Sequence, residues 1–433
     1  MTGESGPDAL QPIVFSVLAA LTPADVELEF HDQMRSRLPQ VIEADAIAFS
    51  VETFSARTAY QLADRHRALG IPVILGGYHP SACPDEAAEH ADAVVLGDAE
   101  DTWPDVVHDL ATGNLKRRYV SGNDQPLQTP KQGIFTRRDY PPLGMVQFSR
   151  GCRYACEFCS IHSFYGTGIR TKTIPQIVAE IAENPQKLLF FTDDNLFADR
   201  SRAVELFEAL IPLGKRWVCQ ISMDVARDPD LLKLMRRAGA LMVLIGFESL
   251  ELANLKQMGK GANLAGDYER VIANIHAAGL MIYGTFVIGY DHDTASTAPA
   301  LVDFATRNGF SVANFNPLMP MPDTRLYERM AAENRLIYPR WWLDEDFRYG
   351  DAMFHPAAMT PEELTSSCRD ARFGFYSQSS ILNRSRHHLM NPMRLAVHFA
   401  TNSISRRAIH AKQGAVLGAD KDVFPRTGGL PNA

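Results

Sequence analysis

Ser149-Arg150-Gly151-Cys152-Arg153-Tyr154-Ala155-Cys156-Glu157-Phe158-Cys159 places three cysteines within eight residues, spaced CxxxCxxC, at the end of the strand-like run Met145 to Ser149. The other cysteines, Cys83, Cys219 and Cys368, stand singly, which is a poor disulfide framework, so the cluster reads as a metal centre. A cubane iron–sulfur centre wants four ligands, and three thiolates leave one iron open. A structural zinc ion would also need a fourth ligand, and His162, three residues past Cys159, offers one. Spacing alone leaves both readings open.

Downstream, strand candidates recur at helix-sized intervals: Leu188 to Thr192, Trp217 to Ser222, Leu241 to Phe247, Met281 to Ile288 and Ser311 to Asn316. With the strand before the cysteines they make six strand–helix units. These predict a partial (β/α) barrel whose chemistry sits at the carboxyl ends of its strands. Upstream, Val26 to Phe30, Ala46 to Val51, Val73 to Leu75 and Ala93 to Leu96 alternate with helical patterns and predict a Rossmann-like parallel α/β domain. The fold class is thus α/β throughout: an N-terminal domain over residues 1–118, a polar Gly- and Pro-containing linker over 119–142, the barrel over 143–320, and a C-terminal cap and tail over 321–433. Trp341, Trp342, Tyr349 and Phe354 suit either a substrate wall or the core of the cap, and the basic pair Arg406 and Arg407 opens what reads as a loose tail.

With 43 Lys and Arg against 51 Asp and Glu, the chain of 433 residues carries a net charge of −8 without a basic stripe, which argues against a nucleic-acid partner and for a small-molecule substrate. No apolar run approaches the roughly 20 residues that span a bilayer. The polar stretch Met1 to Leu10 lacks the features of an export signal, so a cytoplasmic location and no membrane contact are expected.

The three-cysteine motif, with an aromatic residue before its last cysteine, resembles the radical S-adenosylmethionine superfamily over about residues 143 to 320. The resemblance implies that Cys152, Cys156 and Cys159 hold a 4Fe-4S cluster whose open iron chelates the amino and carboxylate groups of S-adenosylmethionine, with Phe158 beside the adenine. Asp193 and Asp194, in Phe191-Thr192-Asp193-Asp194-Asn195, fall where the family binds the methionine amino group; capping of the next helix is the alternative. Glu248 and Ser249, ending Ile245-Gly246-Phe247-Glu248-Ser249, resemble the ribose and carboxylate site, joined by Ser222. Gly284, opening Gly284-Thr285-Phe286-Val287-Ile288-Gly289-Tyr290, resembles the start of the adenine-binding strand. Cleavage of the cofactor by one electron would give methionine and a 5'-deoxyadenosyl radical that abstracts hydrogen from an unactivated carbon. The electron must come from an external reductase or flavodoxin-like donor, because no nicotinamide or flavin motif is present.

Residues 12 to about 116 resemble the cobalamin-binding domain that precedes the barrel in one branch of the superfamily. Gly76, Gly77, His79 and Gly97 are the matching cofactor candidates, although tight turns would need the same glycines. Two departures count against cobalamin: no DxHxxG segment supplies an axial histidine, and only eleven mostly polar residues precede Pro12 where the family has an apolar central strand. Either the start has been placed too late, or the domain survives as a scaffold. Past the barrel, Asn316 to Thr324 resembles a proline-rich turn of the same branch, with Asp323 where glycine is usual.

The reading favoured by the missing strand is radical dehydration or deoxygenation, for instance of an aminoglycoside-like sugar diol, or rearrangement of a small polar intermediate in antibiotic-type biosynthesis. Cobalamin-dependent C-methylation is the alternative. A non-catalytic corrinoid or iron–sulfur carrier would leave Asp193, Glu248 and Gly284 unexplained. No catalytic acid or base stands out.

Overall fold

The computed structural model describes residues 10–35, 38–135, 140–197 and 199–417. Its first sheet contains β1 (Ile47–Ser50), β2 (Val73–Gly76), β3 (Ala93–Leu96) and β4 (Arg118–Val120), all parallel and in sequential order. The continuous apolar runs of β2 and β3 suit a sheet covered on both faces, and Val73, Leu75, Ala93 and Val94 are wholly buried.

Two expectations fail here. Val26 to Phe30 forms no strand: the chain there is irregular after the helix Ile13–Leu21, and Val26 and Leu28 remain exposed. A parallel strand needs a neighbour to satisfy its backbone. Among the described residues β1 is the sheet's edge, and no strand pairs residues 26–30 with it. Conversely, Arg118–Val120 forms β4 across the boundary between the first domain and the segment read as linker. Only Tyr119 of its three residues is buried, too short an alternation to be seen in sequence.

The second sheet is the expected half-barrel. It begins with β5 (Leu143–Val146); the cluster loop then carries β6 (Ser149–Arg150), paired antiparallel with β7 (Arg170–Thr171). The sheet continues through β8 (Leu188–Phe191), β9 (Arg216–Ile221), β10 (Ala240–Glu248), β11 (Met281–Ile288) and β12 (Val312–Pro317) in six parallel strands. Phe286 of β11 packs outward against Phe304 of the helix Thr297–Arg307. The alternate positions Tyr283, Thr285 and Val287 therefore face the concave side and are only half-buried.

Three of the four cap aromatics, Trp341, Trp342 and Phe354, are core rather than substrate wall. Trp341, Trp342 and Phe347 share one core with Val51, Tyr60, Val73, Leu75 and Val94 of the first sheet, while Phe354 joins the barrel core. Tyr349 lies 5.7 Å from Phe54. Asp323 adopts φ 63°, so the turn keeps the left-handed geometry that glycine would supply. Arg406 and Arg407 lie within the helix Pro392–Lys412 rather than in a tail; the rest of the expected tail, from residue 418, lies outside the described residues. No helix among the described residues is long and apolar enough to cross a membrane.

Because Trp341 is wholly buried between the cap and the first sheet, Trp341→Ala is expected to cost about 3–5 kcal/mol, read as a lowered urea midpoint. An unchanged midpoint would mean that the cap does not hold that sheet.

Candidate active site at the cluster loop

The hairpin β6–β7 forces the backbone into the approach that opens the cluster loop. Gly151 has φ 95°, and a Cβ there would fall 2.0 Å from Gly168 O, so only glycine fits. The three thiols that follow do not converge on one point: among the described residues only His79, Cys83 and Glu86 bring three ligand atoms within 4.8 Å of one another. A single zinc ion, with Zn–S near 2.3 Å, needs such convergence, whereas a cubane spreads its thiolates over separate irons. His162 Nδ1 lies 3.2 Å from Gly166 O, a contact that leaves its Nε2 open, so the spacing of the thiols decides between the two metals. The donor set therefore fits an iron–sulfur cluster better than zinc. Asn195 Nδ2 donates to Cys152 Sγ over 3.8 Å, and the amides of Ile161 and His162 donate to Cys159. Burial pushes the Cys156 thiol up to about 11 while neighbouring Lys260 favours its thiolate.

Asp193 is spent on holding this loop. Its Oδ2 accepts from Phe148 N at 3.1 Å, and its Oδ1 accepts from both the amide and the hydroxyl of Ser149 at 2.5 Å. The side chain is buried, and desolvation raises its pKa to about 6 against the pull of those donors. Asp194 Oδ2 accepts from Gly151 N at 2.8 Å. Neither carboxylate caps the next helix, Arg200–Leu210, whose cap is Asp199. Asp193 thus has its oxygens occupied by the backbone before any ammonium group arrives.

A second carboxylate sits differently. β10 shifts register between Gly246 and Glu248, and Glu248 takes φ 63°. Its Oε1 lies 2.8 Å from Lys260 Nζ, which stands 5.9 Å from the Phe158 ring centroid. A Cβ on Gly246 would fall 2.0 Å from Glu248 Oε1 and 2.9 Å from Lys260 Nζ, so the missing side chain makes room for the pair. Lys260 was invisible to motif reading; its only local signal is the flanking Gly259 and Gly261. Ser222, at the end of β9, lies 3.4 Å from Asn195 Nδ2. Ser249 is buried with its Oγ accepting from Glu251 N at 3.0 Å. Gly284 is explained by packing, since a Cβ there would meet the Phe310 ring at 2.5 Å on the helix-facing side.

In the first domain the candidate glycines serve its own turns. Gly77 has φ 104° with Val51 N and O 2.9 Å from a virtual Cβ, and Gly97 has φ 83° with Ser121 Cβ at 2.9 Å; Gly76 approaches Val95. His79 is wholly buried, its Nε2 3.2 Å from Glu86, amid Tyr60 and Trp342. Glu86 Oε1 is already shared by Tyr60, His79 and Trp342, a hydrogen-bond hub rather than an open ligand. Two polar atoms are left over past the carboxyl ends of β1 and β2: Thr53 Oγ1 and His79 Nδ1, both wholly buried without a hydrogen-bond partner.

Asp193→Ala would leave the buried Phe148 and Ser149 N–H groups without an acceptor, at about 1–3 kcal/mol each. Iron content after anaerobic reconstitution is expected to fall severalfold; full iron loading would show that the loop does not depend on this carboxylate.

Residues 146–305 match the model of the radical SAM superfamily, and residues 6–107 match that of the B12 binding domain. A bacteriochlorophyllide d C-12(1)-methyltransferase of Chlorobaculum tepidum is 29% identical over 411 residues, covering 92% of this chain and 89% of that one. A hopanoid C-2 methylase of Rhodopseudomonas palustris is 26% identical, covering 93% and 77%. Among solved structures, the radical S-adenosylmethionine methyltransferase TsrM of Kitasatospora setae, with cobalamin and a [4Fe-4S] cluster bound, aligns with a TM-score of 0.60 at 15% identity, covering 85% of this chain and 89% of that one. The cobalamin-dependent radical enzyme OxsB aligns with a TM-score of 0.59 at 15% identity, covering 88% and 69%. The two sequence relatives, both named for methyl transfer, back the methyl-transfer alternative rather than the dehydration favoured from sequence. The match to the B12 binding domain over residues 6–107 likewise weighs against reading the first domain as a scaffold that has lost its ligand. The chain belongs to the radical S-adenosylmethionine superfamily, in the branch whose barrel follows a B12-binding domain.

Proposed function

We propose that the protein is a cobalamin-dependent radical C-methyltransferase acting on an unactivated carbon of a small-molecule substrate. The observation that carries the reading is the contact between the loop after β3 and the cluster loop: Asp98 and Glu100, just past β3, meet Arg150, two residues before Cys152, each at 3.0 Å. A ligand held at the carboxyl ends of the first sheet would therefore face the cluster loop. The similarity to named C-methyltransferases over most of the chain supports the same reading.

When bound, the cluster and S-adenosylmethionine supply a hydrogen-abstracting radical, and cobalamin supplies the methyl group. This chain's residues bind and orient. Cys152, Cys156 and Cys159 hold the cluster, and Asn195 with the amides of Ile161 and His162 donates to their sulfurs. Such donors tune both the charge and the potential of a cluster. Phe158, Ser222 and the Glu248–Lys260 pair border the S-adenosylmethionine site: the lysine suits its carboxylate and Glu248 its ribose hydroxyls. Asp193 and Asp194 act one step back, by fixing the loop. The first electron comes from a separate donor protein.

With S-adenosylmethionine labelled in its methyl group, a reductant and hydroxocobalamin, the label is expected to pass to the corrin and to accumulate there in the absence of substrate. Release of labelled methionine with an unlabelled corrin would return the dehydration reading. Lys260→Met should weaken S-adenosylmethionine binding at least tenfold, or about 1.4 kcal/mol, with iron content kept. The perturbation that S-adenosylmethionine causes in the EPR signal of the reduced cluster measures it, and an unchanged titration would remove Lys260 from the site.

A further inference from the structure

We infer that Arg150, with Asp98, Glu100 and Arg170, is an ionic clamp that sets the register of the first domain against the cluster loop, so that Arg150 and Asp98 are positioning residues for the radical reaction. Its functional meaning rests on the methyl-transfer reading above.

Arg150 Nη1 lies 3.0 Å from both Asp98 Oδ2 and Glu100 Oε2, and its Nε donates to Gln147 Oε1 at 2.8 Å. Arg170, its partner across the β6–β7 hairpin, pairs with the same Asp98 oxygen. Tyr165 donates to the other oxygen of Asp98 at 3.0 Å. On the far side, Asp98 N donates to Asn123 Oδ1 at 3.0 Å, and Gly97 N to Ser81 Oγ at 3.0 Å. Both anchors are therefore tied to their own domains: the carboxylates to the loop after β3, and the guanidinium groups to the hairpin that opens onto Cys152. All four charged side chains are at least 84% buried.

Adhesion alone does not require such a network. Burying four charges costs desolvation, and well-packed apolar residues hold an interface at least as well. This molecule has that apolar attachment elsewhere, where Trp341 and Trp342 pack on the first sheet. What the ionic network adds is direction. Planar guanidinium groups donate to carboxylates in few geometries, and the directed bonds here, from Arg150 to Glu100 Oε2 and Gln147 Oε1 and from Tyr165 to Asp98 Oδ1, restrict the relative placement of the two loops. It does so beside Gly97 and Cys152, the points at which two cofactors must stand at a set separation. Radical transfer between two sites is sensitive to misplacement on the ångström scale.

The test uses the full chain with a nitroxide at Leu69→Cys, a position 56% exposed on the first domain. Pulsed EPR then gives the distance from the reduced cluster to the label, which needs no cobalamin. The wild-type background is expected to show one narrow distribution, and Arg150→Met to broaden it; the variant also strands the buried Asp98 and Glu100 carboxylates and lowers the urea midpoint, so the distances are recorded without denaturant on protein shown to be folded. Because Arg150 neighbours a cluster ligand, Asp98→Asn makes the same cut from the other domain, and broadening with iron content kept is expected there too. Identical narrow distributions in the variants would overturn the clamp. Cobalt analysis of the same samples judges the other reading separately: absence of cobalt from the wild-type chain would overturn methyl transfer while the distances still decide the clamp.

Discussion

The buried carboxylate of Asp193 is the constraint on which the site depends. It stands two residues past β8 and reaches back to the amides of Phe148 and Ser149 and the Ser149 hydroxyl, tying the cluster loop to the second strand of the barrel. Without it those donors would be stranded in a dry interior. With it, Gly151 can make its steric passage past Gly168, and the cysteines that follow are presented at the carboxyl ends of the strands. Asp194 repeats the device one residue on, at Gly151 N.

From that anchor the arrangement extends in two directions. Across the barrel, the register shift at Gly246 turns Glu248 into a left-handed conformation and brings it to Lys260, so a charged pair stands beside Phe158 near the cluster loop. Toward the N-terminus, Arg150 leaves the same hairpin to meet Asp98 and Glu100. The first domain is then held twice, by an apolar contact through Trp341 and Trp342 and by a charged contact beside the cluster loop. The charged contact is the one that stands beside the cluster loop, while Trp342 also donates to Glu86 at the apolar one.

Much of this was legible in the sequence. The half-barrel strands follow their apolar runs to within a few residues, since buried parallel strands announce themselves by composition. The cluster cysteines were legible because three thiols in eight residues have few other uses. The roles of individual polar residues were less so. Asp193 and Asp194 fall at a family ligand position, yet backbone donors claim them, a tertiary fact with no sequence signal. Gly284 reads as a close approach to a base, whereas it is the Phe310 ring, distant in sequence, that occupies the space. Lys260 lacks any motif, and its importance arises from a bulge that brings Glu248 back to it. Residues 26–30 have strand composition but no neighbour, and without a ladder composition does not suffice.

Metal analysis of the anaerobically reconstituted chain, after incubation with hydroxocobalamin and desalting, tests the central claim most directly. About four irons and one cobalt per chain, with the corrin bands retained, is the result predicted. Iron without cobalt would contradict the cobalamin-dependent reading, and zinc in place of iron would contradict the radical enzyme altogether.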